Sequence, residues 1–96
     1  EKGKDECITA ASVDLDNNIV MFGHDSHQII IFDPISRRII RRFGGRGSED
    51  GRFHCPQSLC VDHLNRIIVC DTLNYRIQMF DHQGNHLLSF GSEGLR

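Results

Sequence analysis

Asp71-Thr72-Leu73-Asn74-Tyr75-Arg76-Ile77-Gln78-Met79-Phe80-Asp81 is a polar turn followed by a β-prone run that closes on Phe-Asp. A short apolar run lies on each side of it, Ile67-Ile68-Val69-Cys70 before and Leu87-Leu88-Ser89-Phe90 after. The runs are separated by turn-forming residues, His63-Leu64-Asn65-Arg66 and His82-Gln83-Gly84-Asn85. Short β-prone runs at near-regular spacing, punctuated by such turns, predict an antiparallel meander.

The same order occurs earlier in the chain. Val13-Asp14, Ile19-Val20-Met21 and Phe32-Asp33 match Val61-Asp62, Ile67-Ile68-Val69 and Phe80-Asp81, each pair 48 positions apart. Phe43-Gly44 matches Phe90-Gly91 at 47 positions, so one turn of the second copy is a residue shorter. A repeat of this length with four strands per copy is the sequence pattern of a β-propeller blade. The strands are expected near 8–14, 19–22, 28–33 and 38–43, then 58–62, 67–71, 75–81 and 85–90. The loop from Gly44 to Arg52 holds four glycines and breaks the pattern between copies. No segment carries a 3.6-residue apolar period, so no helix longer than two turns is expected. Ile29-Ile30-Ile31-Phe32 is apolar at every position, which suits a sheet covered on both faces. Phe32 and Phe80 are expected to anchor one blade on the next.

The second copy resembles the NHL repeat. The resemblance rests on Phe53, Pro56, Val61-Asp62, Asp71-Thr72, Asn74, Arg76-Ile77-Gln78, Phe80, Gly84 and Phe90-Gly91-Ser92. The first copy is degenerate, with Gly23, Ser26 and Gln28 where the pattern has Asp, Asn and Arg. The resemblance implies an all-β chain of two four-stranded antiparallel blades. Residues 1–6 form a charged lead-in, 7–53 the first blade with its linker, and 54–96 the second blade with the start of another linker. Two blades do not close a ring. The expected context is an incomplete propeller, part of a larger six-bladed domain. Self-association of copies to close the ring is the alternative.

Composition bounds the function. The 96 residues carry a formal net charge of −2, so overall charge does not argue for nucleic acid, and any such claim rests on local charge. No apolar run approaches a membrane span. Cys7, Cys55, Cys60 and Cys70 include no Cys-x-x-Cys pair. They are expected to be free thiols, with Cys60 and Cys70 acting as small core residues. Free thiols fit a reducing compartment, and a cytoplasmic location is expected.

No catalytic constellation, phosphate loop or cofactor motif is present. His24-x-x-His27 and His82-x-x-x-His86 are the close histidine pairs. Neither has a third ligand nearby in sequence, so no metal is assigned. Asp71, Asn74 and Arg76 are expected chiefly to brace their turn. Arg37, Arg38, Arg41 and Arg42 fall on or before an outermost strand, where charge blocks edge-to-edge pairing. Chain direction gathers the remaining candidates on one face of the disk: His24, His27, Arg46, Arg52, His54, Tyr75 and Arg76. Cations beside aromatic rings suit phosphate contact and base stacking, and they suit a protein partner equally.

The resemblance implies the C-terminal propeller of a tripartite-motif protein. Such a propeller binds single-stranded or hairpin RNA in some members and recruits protein partners or ubiquitination substrates in others. Ligase activity would belong to RING-type segments outside this chain. A peptidyl-hydroxyglycine lyase, a zinc enzyme of related propeller type, fits poorly with free cysteines and no ligand cluster. RNA is the first expectation and a protein partner the alternative.

Overall fold

The computed structural model of the protein describes residues 7–91. Eight strands form two sheets: β1 (Ile8–Val13), β2 (Ile19–Gly23), β3 (Gln28–Asp33) and β4 (Arg38–Gly44), then β5 (Ser58–Val61), β6 (Ile67–Asp71), β7 (Arg76–Phe80) and β8 (His86–Phe90). Each sheet is a four-stranded antiparallel meander in sequential order. Among the described residues the only helical element is the 3₁₀ turn Thr72–Asn74, where a polar turn was expected. Tyr75 ends it in the left-handed conformation at φ 57°, and its N–H donates to the Thr72 carbonyl.

The repeat is visible in backbone detail. Both sheets carry a bulge at equivalent places, between Ile31 and Phe32 and between Met79 and Phe80. An Asp closes the turns β1–β2, β3–β4, β5–β6 and β7–β8 by accepting backbone N–H groups: Asp14 from Asp16 and Asn18, Asp33 from Ile35, Asp62 from Leu64 and Arg66, Asp81 from Gln83 and Asn85. These bonds hold all four carboxyls below the ordinary aspartate range. At Asp14 and Asp62 burial pushes the other way, and these bonds outweigh it together with the side chains of His82 at Asp14 and Arg66 at Asp62. The shortened turn is the last one. Arg37 N–H reaches back to the Asp33 carbonyl, whereas Gly84 N–H reaches the Asp81 carbonyl one position nearer.

The sheets pack face to face. Val20, Phe22, Ile29 and Ile31 of the first sheet meet Ile67, Val69 and Phe80 of the second, with Phe53 of the linker between them. Phe53 stands edge-on to Phe22 at 5.7 Å and tilted to Phe80 at 5.6 Å. The linker approaches closely because Gly44 has φ +110° and no Cβ. A Cβ there would sit 2.6 Å from the Phe53 ring. Polar bonds tie the sheets at the far end: Leu15 N–H to Asn65 Oδ1 at 2.9 Å, His82 Nε2 to Asp14 Oδ2 at 2.6 Å, and Arg41 Nη1 to the His82 carbonyl at 3.0 Å.

Two expectations about the core are corrected. Phe80 is buried and anchors the sheets, but Phe32, its repeat equivalent, is only half-buried. It lies on the face of the first sheet turned away from the second. Cys60 is exposed and Cys70 half-buried, so neither is a core residue. Strand alternation explains this. Leu59 and Val61 turn toward the first sheet, and Cys60 between them turns away. All four thiols are free. Titration of denatured, unreduced protein should find four reactive thiols, and a count of two would reveal a disulfide.

Candidate ligand-binding face

Three connections meet at one end of the sheet pair: the β2–β3 turn, the linker 45–57 and the β6–β7 turn. Backbone bonds join them. Gly45 N–H donates to the His27 carbonyl at 2.8 Å, and Leu73 N–H to the His54 carbonyl at 3.3 Å. Phe53 N–H and the Gly45 carbonyl bond at 2.8 Å, folding the linker back on itself.

A buried carboxylate organises this end. Asp71 Oδ1 accepts from His54 N–H at 2.7 Å, and Oδ2 accepts from Asn74 Nδ2, Arg76 Nε and Gln78 Nε2 at 2.9, 2.9 and 3.1 Å. Each of those three side chains also grips the linker backbone. Asn74 donates to the Gly47 carbonyl, Arg76 Nη2 to the carbonyls of Glu49 and Arg52, and Gln78 Nε2 to that of Arg52. Gln78 Oε1 accepts from Gly51 N–H. Asp71, Asn74 and Arg76 therefore do more than brace their own turn: they clamp the segment that joins the sheets. Arg76 was expected to be available to a ligand as well. Its side chain is 13% exposed and its donors are directed at Asp71 and the linker.

Gln78 and Phe53 were not anticipated in these roles. The signal for Gln78 is an amide inside the apolar run Ile77–Phe80, where the first copy has Ile30. The backbone groups that it grips, the Arg52 carbonyl and the Gly51 N–H, carry no side-chain signature.

The other candidates gather around the clamp. His27 and Tyr75 are repeat equivalents and share the left-handed backbone, at φ 56° and 57°. The first-copy turn lacks the Asp-Asn-Arg set and closes through His27 N–H to the Gly23 carbonyl. The His27 ring has its centre 6.0 Å from that of His24 and 6.4 Å from that of His54. Burial lowers the His27 pKa, and the charges of Arg46, His24 and His54 lower it further against Asp25. Arg46 is exposed, with no carboxylate in ion-pair range among the described residues. Arg52 is exposed and donates to the Gly44 carbonyl at 3.1 Å. Asp25, Glu49 and Asp50 are exposed in the same connections, so the face carries both signs of charge. Arg37 and Arg38 lie at the opposite end of the strands, in and after the β3–β4 turn. No helix among the described residues is long and apolar enough to cross a membrane.

Residues 53–80 match the NHL repeat family. Over 48 residues, 50% of this chain, the sequence is 46% identical to Protein lin-41 of Caenorhabditis elegans, and the match spans 4% of that protein. It is 44% identical over 55 residues to Protein brain tumor of Drosophila melanogaster, covering 57% of this chain and 5% of that one. It is 40% identical over 45 residues to E3 ubiquitin-protein ligase TRIM32 of Mus musculus, covering 47% and 7%. The matched stretches are thus less than a tenth of these relatives. A solved streptogramin B lyase superposes with a TM-score of 0.74 over 97% of this chain and 29% of its own, at 16% identity. That likeness shows the fold alone: the two sheets are adjacent blades of an incomplete β-propeller.

Proposed function

From the NHL repeat at residues 53–80, we propose that this chain contributes part of a ligand-binding face to a non-enzymatic propeller in the cytoplasm, and that its ligand is single-stranded or hairpin RNA. The observation that carries the reading is Arg46, an exposed guanidinium without a carboxylate partner among the described residues, beside the rings of His24, His27 and His54. A cation of this kind suits a phosphate, and flat rings suit exposed bases. Tyr75, in the equivalent turn of the second blade, offers a further stacking surface. Arg52 adds charge at the linker, while Arg76 holds that linker in shape.

The test is RNA affinity across a salt series in a protein carrying the whole propeller. Arg46→Ala is expected to weaken binding to all sequences alike and to flatten the salt slope by about one phosphate contact. Tyr75→Ala is expected to lose about 1–3 kcal/mol of stacking. Arg37→Ala, at the other end of the strands, should leave affinity and slope unchanged. Equal losses from Arg37→Ala and Arg46→Ala would move the site to the other face. The acids Asp25, Glu49 and Asp50 on the same face favour a second reading, a protein partner carrying basic groups. That reading gains if none of the three variants changes RNA affinity.

A further inference from the structure

We propose that the outer edge of the first sheet, β4 with Arg37 before it, is a docking strand for an extended acidic segment of a partner protein, which pairs with it as a fifth strand. Four guanidiniums occupy six positions here, Arg37, Arg38, Arg41 and Arg42, on either side of Ile39 and Ile40. The two isoleucines are 48% and 45% exposed, and Arg37, Arg38 and Arg42 are exposed with them. β4 pairs with β3 on one side, and no strand among the described residues pairs with its other side. Alternate N–H and C=O groups along it therefore point outward from the sheet.

Two observations separate this edge from a merely protected one. The first is a comparison within the molecule. β8 is the equivalent edge of the second sheet, with Leu88 opposite Met79 where β4 has Arg41 opposite Ile31. Leu87 and Leu88 are exposed there, yet the strand holds no lysine or arginine. Cations are thus not what this fold requires of an outer strand. The second lies in the backbone. Arg37 has the left-handed conformation at φ 63°. The three other turns closed by an Asp put Asn17, Asn65 and Gly84 at their positive-φ position, residue types that accept it readily. Arginine has no such preference, so the turn carries strain that a use for the guanidinium explains.

The sheet does not neutralise these cations. Arg38 stands opposite Asp33 in the ladder, but the Asp33 carboxylate accepts from Ile35 N–H and Ser36 Oγ in its own turn. Neither Arg37 nor Arg38 has a carboxylate in ion-pair range among the described residues. Arg41 is committed to the His82 carbonyl. A carboxylate fits Arg37 and Arg38 as a two-point acceptor. The open ladder and the exposed isoleucines suit a peptide strand, whereas a phosphate chain would use neither.

The test measures binding of a labelled seven-residue peptide alternating Glu with Val, as long as β4, to the purified protein by fluorescence anisotropy. Binding is expected, and the same peptide with Lys for Glu, or with its backbone nitrogens methylated, is expected not to bind. Arg37→Asn and Arg38→Gln should each weaken binding by about two- to fivefold, the loss of one exposed ion pair. Arg37→Asn should unfold at the wild-type temperature or above it, because asparagine accepts the left-handed backbone. No binding of the Glu peptide, or equal binding of the Lys or methylated peptide, would overturn the proposal. So would unchanged affinity in both arginine variants. Oligouridylate binding that falls with Arg37→Asn would assign the cations to phosphate and overturn it too.

Discussion

Replacing Phe80 with alanine is expected to destabilise the protein by about 3–5 kcal/mol, the usual loss for a fully buried phenylalanine. Its ring is 1% exposed and meets Phe43, Phe53 and His86 at centroid distances of 5.2, 5.6 and 5.6 Å. Truncation would remove a large apolar body from the plane where both sheets and the linker meet. The cavity could not collapse without shifting all three. Phe32→Ala serves as the internal comparison, because Phe32 has the same place in the repeat but is half-buried. Urea denaturation of the two variants should give a clearly larger loss for Phe80. Equal losses would mean that the two positions are equally packed in solution.

Asp71→Ala is the second large effect, expected to cost about 3–5 kcal/mol because it leaves a largely buried guanidinium without its counter-charge. The carboxylate is wholly buried and accepts four hydrogen bonds, so alanine orphans donors from His54, Asn74, Arg76 and Gln78 together. Denaturant unfolding measures the loss, and limited proteolysis of the linker 45–53 reports where it acts. The variant should be cut in that linker well before wild type. In a double-mutant cycle, Asp71→Ala with Arg76→Ala should cost less than the two single losses added, since each residue's role depends on the other. Strict additivity would show that the pair is not a coupled unit.

The strands were legible because each copy repeats its turn chemistry as well as its apolar runs. An Asp at the first and last turn of each copy and a Phe-Asp at the end of each third strand fix the register from sequence alone. Observed strand boundaries all fall within one residue of those expected, and the turn before Tyr75 tightens into a 3₁₀ helix. Burial was less legible, since periodicity identifies which residues share a face but not whether another sheet covers it. Phe32 and Cys60 were assigned to a core on that incomplete basis. The site was legible as an end of the molecule but not as a network. Arg76 looks the same in sequence whether its donors meet a ligand or a backbone carbonyl. Its actual acceptors, at Glu49 and Arg52, are peptide groups in a glycine-rich loop. His54 sits beside His27 only because Asp71 holds its N–H and Gly45 holds the linker to the first blade.

The clamp also sets an order of events during synthesis. The side chains that hold the linker, Asp71, Asn74, Arg76 and Gln78, all follow it in the chain, and the acceptor or donor bonds they make span 17 to 27 residues. A nascent chain that has emerged only as far as Gly51 or Arg52 has its first meander complete and the loop tied to it at Gly45, but none of the side chains that clasp the rest of the loop. The 47–52 part of the loop is held only when β7 has left the ribosome, and the same strand delivers Phe80 to cover Phe53. Closure of the loop and docking of the sheets are thus one late, non-local step. Until it occurs, the apolar face formed by Val20, Phe22, Ile29 and Ile31 stands uncovered, and this is the interval in which the growing chain is most open to a chaperone or to aggregation.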